Sequence, residues 1–503
     1  MKLKQKPEDF AVTESWRFDE VKKGEFRVYA MDKQKLSTFD AIGRLADEFE
    51  LPRSVFSYCG LKDKQGRTRQ LIAVRGADID MQEPDLRLKY LGRTDKPLSA
   101  ENTTSNRFGV TVRGLTDEEV ARLPAAVAEV NRLGVVNYFD SQRFGSLKHG
   151  QGFIAKDLLR GDFEIALKNY LARPSELDRS YDAKVKAFWR DHWGEWRLRC
   201  TIPGADKYEP ILRYLRRNPE DFLGAFLRID AKYRAMLVFT YQSYLWNEGV
   251  RRYLMDLLSG QSLLAINYQA GKLLFPREAP PEVLKRLRQQ TFPLLGPETV
   301  VEDKAVKKAV DWVLGREKLT VEKLRIPGTE QIFFRHEERP VVVYPGRLLV
   351  GAAHRDELNP GFGKVYVAFT LPPGSYATLV VRRLLSYSEQ DNLAPLEEAE
   401  IETPSGAREE RQPTVEEALE PNGKPRRKKA PARARPPRVA AEAPVKTPKK
   451  ERAQPESQVA PPAEGAAAEQ APAKPLGFRA RQKLKKEKKA ALREIAAKRG
   501  KRR

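Results

Sequence analysis

Short apolar runs with strand-like alternation stand at both ends of a chain whose middle is patterned for helices, and this distribution narrows the possible folds. Phe10 and Val12 alternate with polar neighbours, as do Phe26 to Ala30, Leu86 to Tyr90 and Phe108 to Arg113, while Leu71-Ile72-Ala73-Val74 is wholly apolar. A period of two is the mark of a half-buried strand. From about residue 146 to residue 335 the period becomes helical, and the longest run extends from Ala231 to Leu258. Strands return at Val341-Val342-Val343 and from Val365 to Phe369. Strands in runs, then helices, then strands point to an α+β class. Ser37 with Asp40 and Thr116 with Glu119 have the spacing of capping boxes that open helices. Behind them Phe39, Ile42, Leu45, Ala46 and Phe49, and then Val120, Leu123, Val127 and Val130, recur at core spacing.

The stretch Ser57-Tyr58-Cys59-Gly60-Leu61-Lys62-Asp63-Lys64-Gln65-Gly66 precedes the apolar run at 71–74. An aspartate between two lysines and bracketed by glycines suits a loop held by a sheet. Glycine tolerates close approach, so a bulky ligand could come down onto Asp63. Lys62 and Lys64 would keep that carboxylate ionised and would attract phosphate. From these residues alone, an aspartate turning a hairpin between solvated lysines is the favoured reading.

The chain has 503 residues, enough for two or three domains, and 41% hydrophobic content supports a folded core over most of it. Its formal net charge of +23 points to a polyanionic partner, a nucleic acid or an acidic membrane surface. Residues 401–503 hold 28 Lys and Arg against 13 Asp and Glu, so +15 of the excess is local. Beyond about Tyr387, Pro, Ala, Glu, Lys and Arg dominate, and from 401 onward Phe478 is the sole aromatic. Such a tail cannot bury enough apolar area to offset its conformational entropy, so disorder is expected over 388–503. Cys59 and Cys200 make no disulfide framework, and His149, His192, His336 and His354 show no metal-ligand spacing. No metal is expected, and neither a Walker nor a dinucleotide glycine pattern is present. The absence of a leader-like start or a long apolar run predicts a soluble, cytoplasmic protein without a membrane partner.

Five motifs occur in one order. They are Lys4 three residues before Pro7-Glu8-Asp9-Phe10-Ala11-Val12-Thr13-Glu14; Gly60-Leu61-Lys62-Asp63 with Gln70; Ser105-Asn106-Arg107-Phe108; Asn137-Tyr138-Phe139-Asp140-Ser141-Gln142-Arg143-Phe144-Gly145; and Phe369-Thr370-Leu371-Pro372-Pro373-Gly374-Ser375-Tyr376-Ala377-Thr378. Together they resemble the TruD family of tRNA pseudouridine synthases over roughly residues 4–385. The helix around Tyr244-Leu245-Trp246-Asn247 is similar as well. Departures are Phe26 for His, Ser105 for Gly, Val136 for Pro, Asp140 for Gly, and Arg382-Arg383 for Arg-Glu.

The resemblance implies a pseudouridine-synthase-like catalytic domain with a mixed or antiparallel sheet, split as 1–145 and 336–387 around a mostly helical inserted domain at 146–335. It implies Asp63 as the essential residue and Lys4 in the active site. Asn106 would position the aspartate or read a base edge, and Phe108 would stack on an unpaired base. Lys62, Lys64, Asn137, Tyr138, Phe139, Gln142 and Arg143 would contact RNA. The implied activity is conversion of a uridine in tRNA, position 13 of the D arm, without a cofactor. The basic tail would bind RNA nonspecifically. A non-catalytic RNA-binding protein or chaperone on the same fold, or a synthase acting on another RNA, stands as the alternative.

Overall fold

The computed structural model describes residues 1–385 except 63, 148, 149, 151 and 177. The expected tail, 388–503, lies outside the described residues.

Seven strands come from the first part of the chain: β1 (Phe10–Trp16), β2 (Phe26–Gln34), β3 (Phe56–Tyr58), β4 (Arg67–Arg75), β5 (Gln82–Glu83), β6 (Leu86–Thr94) and β7 (Thr103–Leu115). Helices α1 (Thr38–Glu48) and α2 (Asp117–Leu133) begin at the expected capping boxes, where Ser37 and Thr116 side chains accept from the Asp40 and Glu119 amides. The short strand β8 (Val135–Val136) follows.

The middle is mainly helical. It contains α3 (Ile154–Arg160), α4 (Phe163–Leu171), α5 (Ser180–Asp191), α6 (Glu209–Leu215), α7 (Phe222–Phe226) and the long α8 (Ala231–Leu257). After them come β9 (Leu263–Tyr268), β10 (Gly271–Pro276), α9 (Pro281–Gln289), β11 (Thr291–Leu294) and α10 (Lys304–Arg316). Helix α8 is buried nearly all round, with Tyr241, Leu245, Trp246 and Asn247 inaccessible, so its aromatic stripe is core.

The chain ends its described part with β12 (Glu337–Pro340), β13 (Val342–Val343), β14 (Gly346–Val350), β15 (His354–Arg355), β16 (Gly363–Leu371) and α11 (Ala377–Leu385). The first and last strands of the described residues build one ten-stranded sheet in the order β14-β16-β7-β1-β4-β2-β6-β5, with β15 paired to β16 and β3 to β4. Among the described residues β1 and β4 run parallel and the other pairings in this sheet are antiparallel. The class is therefore α+β with a mixed sheet.

Strand β4 is buried on both faces, which explains its unbroken apolar run at 71–74. On one face α1 packs through Ala41, Ile42, Leu45 and Ala46 against Tyr29, Met31, Ile72 and Val74. Further along the same face α2 and α11 cover Val110, Val112, Val365 and Val367. Between these helices, a strip of sheet carries side chains from β4, β1, β7 and β16.

Candidate active site

Side chains on a strand alternate between faces, so register decides which residues share the strip. Val12 lies beside Thr68 on one side and Phe108 on the other, and Phe108 lies beside Phe369. One step along, Glu14 pairs with Asn106, and Asn106 with Leu371. Asn106 stands on β7, which begins at Thr103 because β-branched Thr103 and Thr104 favour extended backbone and the segment meets β1 and β16 on its two edges.

The edge of β4 is shared. Strand β1 pairs with it at Arg67–Arg69 and β3 at Ile72–Val74, which leaves a split between β1 and β3. Glu14 fills that split. Its carboxylate accepts from Lys62 Nζ (2.7 Å), from Leu71 N–H (2.8 Å) and from Thr103 Oγ1 (3.1 Å), and its side chain is 0% exposed.

The loop from Cys59 to Gly66 is held on both sides of residue 63. Gly60 carbonyl accepts from Gln70 Nε2 at 3.1 Å. Thr38 Oγ1 donates to Gln70 Oε1 and accepts from Lys62 N–H, each at 2.9 Å. Lys33 Nζ reaches the Lys62 carbonyl at 3.4 Å, and Lys64 Nζ pairs with Asp40 at 3.2 Å. Gly66 sits so close to β1 that a Cβ would lie 2.5 Å from the Phe10 carbonyl oxygen. Asp63 lies outside the described residues.

Lys4 has a left-handed backbone, φ 57°, and its Nζ lies 4.2 Å from the centroid of the Phe10 ring. Phe10 is 6.2 Å from Phe108, which stacks on Phe369 at 5.5 Å. Lys4, Asn106 and Phe108 are thus gathered around β1, but Phe108 is mostly covered and presents only a small part of its ring. Asn106 Oδ1 and Thr68 Oγ1 are buried without hydrogen-bond partners among the described residues. Such atoms are costly to leave unpaired and suit a site completed by a ligand. Burial, reinforced by the Glu14 charge, pushes the Cys59 thiol up to about 11, so it is no thiolate nucleophile at neutral pH.

Several residues expected to touch RNA are turned inward. Lys62 is directed at Glu14 and its charge is neutralised there. Tyr138 and Phe139 are 0% and 2% exposed and pack edge-on against Trp246. Asn137 is buried; its carbonyl and Oδ1 accept from Arg339, and its Nδ2 donates to the Pro340 carbonyl. Asn247 accepts from Phe139 N–H and donates to its carbonyl, both at 2.9 Å. Aromatic density in this motif therefore reflects packing between α8 and the segment after β8. Gln142 is exposed, Arg143 is half-buried, and Lys64 is exposed.

The departures have local explanations. Asp140 adopts an ordinary extended backbone, φ −86°, so no left-handed position is needed. Its carboxylate accepts from Ser141 N–H, Thr378 Oγ1 and Arg382. Arg383, standing where the resemblance has glutamate, is buried against Glu129 at 2.8 Å. A cavity of about 400 Å³ lined by Lys6, Thr111, Arg113, His354, Lys364 and Tyr366 is separate: Thr111 and Tyr366 lie on the face opposite Asn106 and Phe108. Among the described residues no cluster of His, Cys, Asp and Glu could hold a metal, and no helix is long and apolar enough to cross a membrane.

The fold has a counterpart among solved structures, and the sequence has relatives among known proteins. A solved structure of tRNA pseudouridine synthase D (TruD) from Methanosarcina mazei superposes with a TM-score of 0.57 at 25% identity, covering 77% of this chain and 94% of that one. The tRNA pseudouridine synthase D of Aquifex aeolicus is 31% identical over 76% of this chain and 98% of its own length. A protein so named from Leptospira interrogans is 28% identical over 76% and 95%. Fold and relatives together define an enzyme of the pseudouridine synthase class, an isomerase. The family model for tRNA pseudouridine synthase D (TruD) matches residues 1–384, and the chain belongs to that family.

Proposed function

We propose that this enzyme isomerises a uridine of tRNA to pseudouridine, at position 13 of the D arm, with Asp63 as the reacting carboxylate. The observation that carries the reading is the loop around residue 63, anchored through Gly60, Lys62, Lys64 and Gly66, with Lys62 held on Glu14, the strand neighbour of Asn106, whose Oδ1 has no partner among the described residues. Preorganising a reacting group in this way lowers the entropy cost of reaching the transition state.

The reaction breaks the bond from C1′ to N1, turns the base and rejoins it through C5. N1 takes up a proton and the C5 hydrogen leaves to solvent, so no atom is added overall. A carboxylate serves either as nucleophile at C1′ or as base at C2′ giving a glycal, and both roles fall to Asp63. Everting the uridine costs unstacking energy, offset in part by contact with the exposed part of Phe108 and by a hydrogen bond to Asn106. Lys4, held over Phe10, supplies positive charge beside the anionic site. Tyr138, Phe139 and Asn137 act from behind, as packing that fixes the neighbouring segment.

In this reading residues 1–145 and 336–387 form the catalytic domain, since β14 to β16 complete a sheet begun by β1 to β7, and 146–335 are inserted between them. The basic tail adds nonspecific attraction to RNA, in the cytoplasm. Incubation with tRNA transcripts labelled with tritium at uridine C5 should release tritium to water. No release from any tRNA, with binding intact, would favour a non-catalytic RNA-binding protein.

A further inference from the structure

Arg143 and Arg339 rest on one linked group of rings. The Arg339 guanidinium lies 4.2 Å from the Phe139 centroid and 5.4 Å from Trp246, and the Arg143 guanidinium 4.5 Å from Phe239. Phe139 meets Phe239 edge-on at 5.5 Å and Tyr376 at 6.2 Å. Neither arginine has a carboxylate partner among the described residues. Arg339 donates to the Asn137 carbonyl, Asn137 Oδ1 and the Gly374 carbonyl; Arg143 donates through Nε to Tyr376 OH. Arg339 Nη1 and both terminal nitrogens of Arg143 make no hydrogen bond among the described residues. Other half-buried arginines are matched with acids, among them Arg382 with Asp140 and Arg251 with Glu248.

Two guanidiniums aligned by rings, short of counter-charge and with terminal donors unused, are prepared for an anion with several oxygens. Burial lowers the Arg339 guanidinium to about 10, with the like charge of Arg143 adding to it against Tyr376 and Glu337. It stays protonated at neutral pH, and an anion would relieve the cost. The place of the pair in the chain says which anion. Leu371 sits beside Asn106 in the sheet, and Gly374, whose carbonyl holds Arg339, follows three residues later. Three residues span at most about 11 Å, so the pair stands close to the proposed uridine site.

We propose that Arg143 and Arg339 form a clamp for an RNA backbone phosphate next to the everted uridine. This rests on the function proposed above, but its test reads binding rather than isomerisation. Full-length wild type, Arg143→Gln and Arg339→Lys are titrated with a tRNA transcript by fluorescence anisotropy over a range of salt. The basic tail is present in all three, so its contribution cancels. Arg143→Gln should bind roughly tenfold or more weakly and should reduce the slope of log affinity against log salt by about one. Arg339→Lys, keeping the charge but losing the planar fork, should weaken binding with little change in slope. Arg143→Gln with wild-type affinity and slope would overturn the clamp, as would a wild-type chain that does not bind tRNA. A purely structural Arg339 would show as a lowered melting temperature for Arg339→Lys with affinity unchanged, and this too would overturn it. If wild type binds but releases no tritium, the proposed reaction fails while the clamp is still judged by its slope.

Discussion

Glu14 accepts three hydrogen bonds inside the split of the sheet, one of them from Lys62 in the loop that carries Asp63. Removing one member of a buried ion pair leaves the other desolvated and unpaired. Glu14→Ala should therefore lower unfolding free energy by about 3–5 kcal/mol in a denaturant titration. Glu14→Gln should cost less, because an amide oxygen still accepts from Leu71 N–H. An alanine variant as stable as wild type would remove Glu14 from this account. A second buried carboxylate gives a pH dependence. Desolvation tends to raise Asp356, but donors from Leu358, Asn359, Gly114 and Arg113 outweigh it and hold its carboxyl at about 2. Its folded value lies below the unfolded value of about 4, so its stabilisation is full above that value and is lost as pH falls towards 2. Unfolding midpoints should drop through this window, and a smaller drop in Arg113→Met would trace it to this cluster. At this scale the sequence was partly legible. Lys4 and Phe108 both reach Phe10 on β1, and Asn106 is the strand neighbour of Glu14. Glu14 stood in view as the last residue of its motif, but nothing in the local pattern showed that Lys62 turns towards it and away from solvent. Arg339 was invisible, since its partner Asn137 lies 202 positions away in the chain.

Strand β4 owes its role to having two partners on one edge. The gap between β1 and β3 admits Glu14, and Gln70 and Thr38 tie the following loop to α1. Thr38→Val removes a hydroxyl that bonds in two directions while keeping volume. It should reduce kcat in the tritium assay with a change in tRNA affinity of less than about threefold; full activity would show that this link does not position the loop. Gly66→Ala drives a Cβ against the Phe10 carbonyl, overpacking that should cost about 1–3 kcal/mol. A thermal melt unchanged from wild type would mean the loop relaxes freely. Element positions followed from local signals: capping boxes marked the starts of α1 and α2, and alternation marked the strands. Pairing did not, because contacts between 108 and 369 or between 136 and 342 depend on burial shared across the whole chain.

At the scale of the described residues, β1 to β7 and β14 to β16 meet in one sheet and a long helical section closes over the segment after β8, with α8 clamping Phe139 through Asn247. The aromatic motif at 137–145 read as an RNA surface from its composition, whereas most of its rings serve this packing; composition alone does not tell a buried ring from an exposed one. Residues 401–503 carry +15 of the net charge of +23. Deleting 388–503 should weaken tRNA affinity mainly at low salt and leave turnover at saturating tRNA intact, since nonspecific phosphate contacts are screened as salt rises. A large loss of turnover would assign the tail a part in catalysis. If the pinned loop delivers one ionised carboxylate to the ribose of an everted uridine, comparing wild type with Asp63→Asn in single-turnover tritium release from a bound tRNA transcript tests it most directly. Release at background, with tRNA affinity within about threefold of wild type, is the predicted result; isomerisation that persists at a wild-type rate would contradict it.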